Sequence, residues 1–172
     1  MGDFTIPDGL EDKFFFIVAE LKDANGVVIS RSVYWPRCLK LMADPEFRSK
    51  YRDTPQPSVK FEHGPWLRSQ VEAAPTKLQL KGICRTDLSE TESSIRVQVR
   101  NAGSAPAFDT HINIGGTTRT FYGTDNHFWL APGEERMIDL RVQWRDPSTR
   151  AKASITAEAW NAASIEVPIP AK

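Results

Sequence analysis

From Leu78 onward, apolar and polar positions alternate with period two. Leu78 and Leu80 interleave with Lys77, Gln79 and Lys81, and Ile95, Val97 and Val99 with Arg96, Gln98 and Arg100. Phe108, Ile112 and Ile114 oppose Asp109, His111 and Asn113. Ile138, Leu140, Val142 and Trp144 oppose Met137, Asp139, Arg141 and Gln143, and Ala153, Ile155, Ala157 and Ala159 oppose Ser154, Thr156 and Glu158. Successive side chains of a strand point to opposite faces, so this period predicts strands with one buried and one wet face. The intervening segments Asn101–Ser104, Gly115-Gly116, Pro132-Gly133 and Asp146–Ser148 have turn chemistry. Short strands at this spacing predict an antiparallel sandwich of immunoglobulin type.

The N-terminal part reads differently. Phe14 to Leu21 is a mostly apolar run, Asp23-Ala-Asn-Gly26 a turn, and Val27 to Trp35 a β-branched and aromatic run. Asn-Gly accommodates the positive φ of tight hairpin turns, so residues 14–35 predict a β-hairpin. Residues 36–71 are charged and punctuated by Pro36, Pro45, Pro55, Pro57 and Pro65. They predict a stiff linker anchored by Phe47, Tyr51, Phe61 and Trp66, with a short helix over Asp44–Tyr51 started by Pro45 at its first position. The expected organisation is a hairpin over 1–36, a Pro-rich linker over 37–71 and an all-β, immunoglobulin-like antiparallel β-sandwich over 72–172. A hairpin alone is marginal in water and leaves edges unpaired, so it predicts self-association through this element.

Composition narrows the partners. Lys plus Arg equals Asp plus Glu at 22 each, which gives no general attraction to nucleic acid or anionic lipid. No apolar run approaches the roughly 20 residues that span a bilayer, so neither nucleic acid nor membrane is an expected partner. Met1-Gly-Asp-Phe-Thr-Ile6 lacks a basic n-region and an apolar h-region, so it does not read as a signal peptide. Cys38 and Cys84 lie outside any C-x-x-C or Cys/His cluster. They are expected to be buried free thiols, although an oxidising compartment would allow them to pair.

Candidate chemistry is sparse. Glu134 and Glu135 are adjacent just after a turn and read as solvated turn residues. His63, His111 and His127 lack metal-ligand spacing to another His or Cys, so neither metal nor cofactor is expected. There is no G-x-S-x-G elbow and no phosphate-cradling glycine loop. The best binding candidates are aromatic. Trp144 continues a buried alternation. Trp160 lies out of phase with Ala153 to Ala159 and is expected to face outward, and Trp129 sits beside a turn. Trp129 and Trp160 read first as inter-sheet packing and, as the binding alternative, as carbohydrate platforms. Asp125 and Asn126 are expected to bond backbone groups.

Three blocks together resemble the C-terminal region of family 2 glycoside hydrolases, especially β-mannosidases and exo-β-glucosaminidases. Phe14 to Trp35 looks like the last hairpin of their penultimate sandwich domain, which ends in Tyr-Trp. Val97-Gln-Val-Arg-Asn-Ala-Gly-Ser-Ala-Pro-Ala-Phe108 is similar to a Val-x-Asn-x-(small)-x-x-Ala-Phe strand and turn of the final domain. Thr124-Asp-Asn-His-Phe-Trp-Leu-Ala-Pro-Gly-Glu134 is similar to Ser-Asp-Asn-Tyr-Phe-x-Leu-x-Pro-Gly-Glu. His127, Trp129 and Arg37-Cys38 depart from that pattern. The resemblance implies that the first hairpin is a remnant of a preceding domain. It also implies that the partners are the catalytic and other domains of a periplasmic or secreted glycosidase. In that family the two catalytic glutamates sit on a β/α barrel, one in an Asn-Glu dipeptide. This chain has no Asn-Glu and no room for a barrel of roughly 250 residues, so no catalytic residue carries over. The expected role is non-catalytic support of the parent. The alternatives are a stand-alone carbohydrate-binding module and a protein-interaction or adhesion module.

Overall fold

A computed structural model of the chain describes residues 7–10, 15–37 and 71–171. The short helix expected over Asp44–Tyr51, the linker anchors and Cys38 lie outside these residues. The chain divides into two compact units, Met1–Gln70 and Val71–Lys172.

In the first unit β1 (Phe15–Lys22) and β2 (Val28–Arg37) form an antiparallel hairpin. Asp23 builds its turn: its carboxylate accepts from the Asn25 and Val27 backbone N–H groups at 2.9 and 2.8 Å. Arg31 and Glu20 pair across the strands at 2.7 Å.

The second unit is a sandwich of two antiparallel sheets. One has the order β3-β4-β8-β6, from β3 (Leu78–Asp87), β4 (Glu92–Asn101), β8 (Glu135–Trp144) and β6 (Arg119–Gly123). The other has the order β10-β9-β5-β7, from β10 (Ala162–Pro168), β9 (Ser154–Ala159), β5 (Ala107–Gly115) and β7 (Phe128–Leu130). The all-β, immunoglobulin-like architecture is the one the alternation predicts. Ile95, Val97, Val99, Ile138, Leu140, Val142 and Trp144 line one inner face, and Ile112, Ile114, Phe128, Leu130, Ile155 and Ala157 the other. All are buried, and burying each large aliphatic or aromatic side chain contributes about 1.5–3 kcal/mol. A short 3-10 turn, Pro147–Lys152, precedes β9, and the Asp146 side chain caps it by accepting from the Ser148 N–H. At Gly116, φ is +77°, and a side chain there would strike the Lys152 carbonyl. Among the described residues no helix is long and apolar enough to cross a membrane.

Two bulges shift the phase that simple alternation predicts. In β3 the pairing slips between Lys81 and Cys84, at Gly82 with φ +58°. The extra residue turns Cys84 outward. Cys84 is therefore an exposed free thiol, not a buried one. In β5 the slip lies between Ala107 and Thr110, around Asp109 with φ +53°. Ala107 joins the sandwich core, whereas Phe108 is buried outside it. Bulges insert one unpaired residue and re-aim the side chains beside them.

The wet face of the first sheet carries cross-strand ion pairs. Arg96 and Asp139 are directly opposite and bond twice, at 2.6 and 3.2 Å. Arg141 bonds Glu92 at 2.5 Å. Hydrogen bonds from these guanidinium groups hold the Asp139 and Glu92 carboxyls below the ordinary carboxylate range. A carboxyl depressed on folding stabilises the fold above its unfolded-state pKa, and that contribution fades as pH falls through the lower folded-state value. Asp139→Asn is thus expected to lower Tm slightly at neutral pH and low salt, with the deficit vanishing in acid. Melting curves across a pH series check this, and a deficit constant with pH would contradict it. Screening should shrink the effect at high salt, since the pair is exposed.

Candidate functional site on the outer face of the second sheet

The β5 bulge and the short edge strand β7 gather the chemistry-bearing side chains of the second unit. Strands β9, β5 and β7 lie side by side. Ala157 and Ala159 of β9, Ile112 and Ile114 of β5, and Phe128 and Leu130 of β7 point into the core. Their neighbours Glu158, Trp160, His111 and Trp129 therefore share the outer face.

These residues form two adjacent rows. In the polar row Glu158 is the register partner of His111, with Oε2 3.4 Å from His111 Nε2. The His111 ring stacks on that of His127, with centroids 5.1 Å apart and planes 19° from parallel. Asp109 Oδ1 lies 3.1 Å from His127 Nδ1. One ligand atom each from Asp109, His111 and His127 falls within 4.8 Å of the others. In the aromatic row the Trp129 ring tilts against Phe108 at 5.4 Å, and the backbone N–H of Trp160 donates to the Phe108 backbone carbonyl at 2.9 Å. The two tryptophans singled out from the sequence thus flank one residue. Trp129 is partly buried, and Trp160 is 47% exposed as its phase predicts.

The loop entering β7 is pinned from below. Asn126 Oδ1 accepts from the Ile112 N–H at 2.9 Å, the backbone bond expected of it. Asp125 does otherwise: its carboxylate pairs with the Arg136 guanidinium at 2.5 Å. Arg136 also lies over the Phe128 ring, 4.7 Å from its centroid. Glu134 accepts from the Ala131 N–H at 2.8 Å and closes its own turn. Glu135 accepts from Gln98 across the strands at 2.5 Å. Both glutamates therefore have structural partners and are more than solvated turn residues.

Linear spacing could not reveal the histidine cluster, because His127 is 18 positions from Asp109 and reaches it only through β5–β7 pairing. The one local signal is Asp109-x-His111 on a strand, a spacing that puts both side chains on one face.

Comparison with known proteins bears on the fold that carries this face. Residues 78–162 match the mannosidase Ig-fold domain family. A search of curated proteins gives no match. Among solved structures, the exo-chitosanase CsxA of Amycolatopsis orientalis is 18% identical with a TM-score of 0.64, over 96% of this chain and 19% of that one. The exo-β-D-glucosaminidase CsxA in an inhibitor complex is 19% identical with a TM-score of 0.65, over the same shares. The chain therefore spans about a fifth of the length of the enzymes it resembles, and at this identity the likeness is one of fold. What the chain shares with these proteins is the Ig fold, and residues 78–162 are the part that matches the mannosidase Ig-fold domain.

Proposed function

We propose that this chain is the non-catalytic C-terminal β-sandwich region of a family 2 glycoside hydrolase of β-mannosidase or exo-β-glucosaminidase type, and that it supports the parent enzyme structurally. The observation that carries this reading is the mannosidase Ig-fold match over residues 78–162. The fold likeness to a fifth of an exo-glucosaminidase chain supports it. The role is mechanical: a packed sandwich braces a catalytic body that supplies the acid/base and nucleophilic carboxylates. The purified 172-residue chain is expected to release no phenol from aryl β-D-mannosides or aryl β-D-glucosaminides. Deleting residues 71–172 from the parent is expected to lower its Tm and leave the pH–rate profile of the surviving enzyme unchanged. Enzyme-like turnover by the chain alone, or a deletion without effect on Tm, would overturn the proposal.

The hairpin belongs to the same reading. Leu21, Val27 and Ile29 are 61%, 60% and 65% exposed, an apolar surface that a two-stranded element cannot bury alone. In the parent it completes a preceding sandwich domain. In the isolated chain it drives association between copies. Light scattering after size exclusion is expected to show dimers or larger species at high concentration, and a monomer throughout would count against this role.

A second reading rests on the exposed Trp160 beside Trp129 on one sheet face: a carbohydrate-binding surface. Calorimetry with manno- and glucosamine oligosaccharides tests it. Binding lost in Trp160→Ala would favour it, and no binding would leave the supporting role alone.

A further inference from the structure

We propose that Asp109, His111 and His127 form a surface site for a divalent first-row transition ion such as zinc or cobalt. The donor set is two imidazoles and one carboxylate, a combination that suits such ions and disfavours calcium or magnesium, which prefer oxygen ligands throughout. The three ligand atoms already lie within 4.8 Å of one another. Bound ligands sit about 2.0–2.2 Å from such an ion, and small side-chain rotations close that gap, because His127 is 62% exposed.

The backbone supplies an independent argument. Among the described residues, Asp109 and His127 are the non-glycine residues with positive φ, at +53° and +60°. Left-handed backbone is uncommon for residues with a side chain, and such conformations gather where a ligand is clamped. Here both left-handed residues aim their side chains at the same point. One lies in the β5 bulge and the other at the mouth of β7, and Asn126 ties the two strands together beside them.

Glu158 completes the design. A carboxylate beside a ring nitrogen of a ligating histidine fixes the ring and strengthens it as a ligand. Glu158 Oε2 holds this place, 3.4 Å from His111 Nε2, which leaves His111 Nδ1, on the Asp109 side of the ring, as the atom that faces the ion. Three protein ligands leave coordination positions for water or an incoming group on the face that carries Trp129 and Trp160. The bound ion would bolt the edge strand β7 to β5. It requires no glycosidase parent, so its failure would leave the proposed supporting role intact.

The test is titration of the full chain with cobalt(II) alone, read by its d–d absorption, and with zinc by calorimetry. One equivalent is expected to bind, to raise Tm by mass action, and to show no thiolate charge-transfer band. His127→Gln, an exposed change that spares the core, is expected to weaken binding at least about tenfold, and Glu158→Gln, beside the ligand, by about tenfold or more. Cys84→Ser should bind as the unaltered chain does. Binding no tighter than about 1 mM, binding unchanged in both His111→Gln and His127→Gln, or binding abolished by Cys84→Ser would overturn the site.

Discussion

Asn101→Asp is expected to destabilise the sandwich by about 3–5 kcal/mol, the range for a buried charge left without a partner. Asn101 ends β4 and is fully buried. Its amide uses every donor and acceptor. Oδ1 accepts from the Thr76 hydroxyl at 2.6 Å and the Gly103 N–H at 3.1 Å. Nδ2 donates to the Ala105 carbonyl at 2.8 Å and the Leu130 carbonyl at 3.1 Å. One side chain thus ties the segment before β3, the β4–β5 turn and the end of β7. Aspartate keeps the shape but places a carboxylate oxygen against two carbonyl oxygens. A domain of this size has about 5–15 kcal/mol in total, so the change takes a large share. Urea unfolding followed by tryptophan fluorescence measures it. Acid should partly rescue the variant, because a protonated carboxyl regains one donor. Asn101→Leu introduces no charge but strands the same carbonyls, each at about 1–3 kcal/mol, and should show no acid rescue. An unchanged midpoint in Asn101→Asp would mean that the amide network is not what closes this end of the sandwich.

That asparagine also shows what is legible in a sequence. The resemblance rests in part on the Val-Arg-Asn block, and the alternation of β4 and β8 identifies their buried faces residue by residue. Trp144 falls where its phase puts it. Period-two reasoning works there because both strands lie inside a sheet and their neighbours leave one register. It breaks where a bulge resets the phase. Gly82 turns Cys84 outward, and the slip around Asp109 moves Phe108 out of the core. Neither shift leaves an apolar pattern to count. Strand β10 also escapes notice, because Ala162-Ala-Ser-Ile-Glu-Val-Pro168 is half-exposed and short of large apolar residues. The histidine cluster is hidden for a different reason: it exists only once β5 and β7 are paired. The polar chemistry of this face is a property of register, which depends on contacts far apart in sequence.

Removing the Trp144 side chain should cost about as much as the Asn101 change, by a different mechanism. Trp144→Ala is expected to lose about 3–5 kcal/mol, from lost burial and the cavity left behind. Trp144 is 2% exposed at the end of β8 and sits in the core. Its indole is also the start of a chain of polar contacts. Nε1–H donates to Ser93 Oγ at 2.8 Å, and the Ser93 hydroxyl donates to Asp87 Oδ1 at 2.7 Å. The Arg85 and Arg150 guanidinium groups lie 3.2 and 3.6 Å from that oxygen. The indole end of this line is neutral and its other end is the Asp87 carboxylate paired with Arg85, so the line ends in an ion pair and not in an isolated ion. Trp144→Phe separates the two contributions. It keeps most of the apolar bulk and withdraws the N–H, at an expected cost of about 1–2 kcal/mol. Ser93→Ala strands the indole N–H instead and should cost a similar amount. The double variant Trp144→Phe with Ser93→Ala leaves neither partner stranded. Its cost should therefore fall below the sum of the single changes by about 0.5 kcal/mol or more. Strict additivity in that cycle would show that the indole is held by packing alone and that the hydrogen bond to Ser93 contributes nothing to the fold.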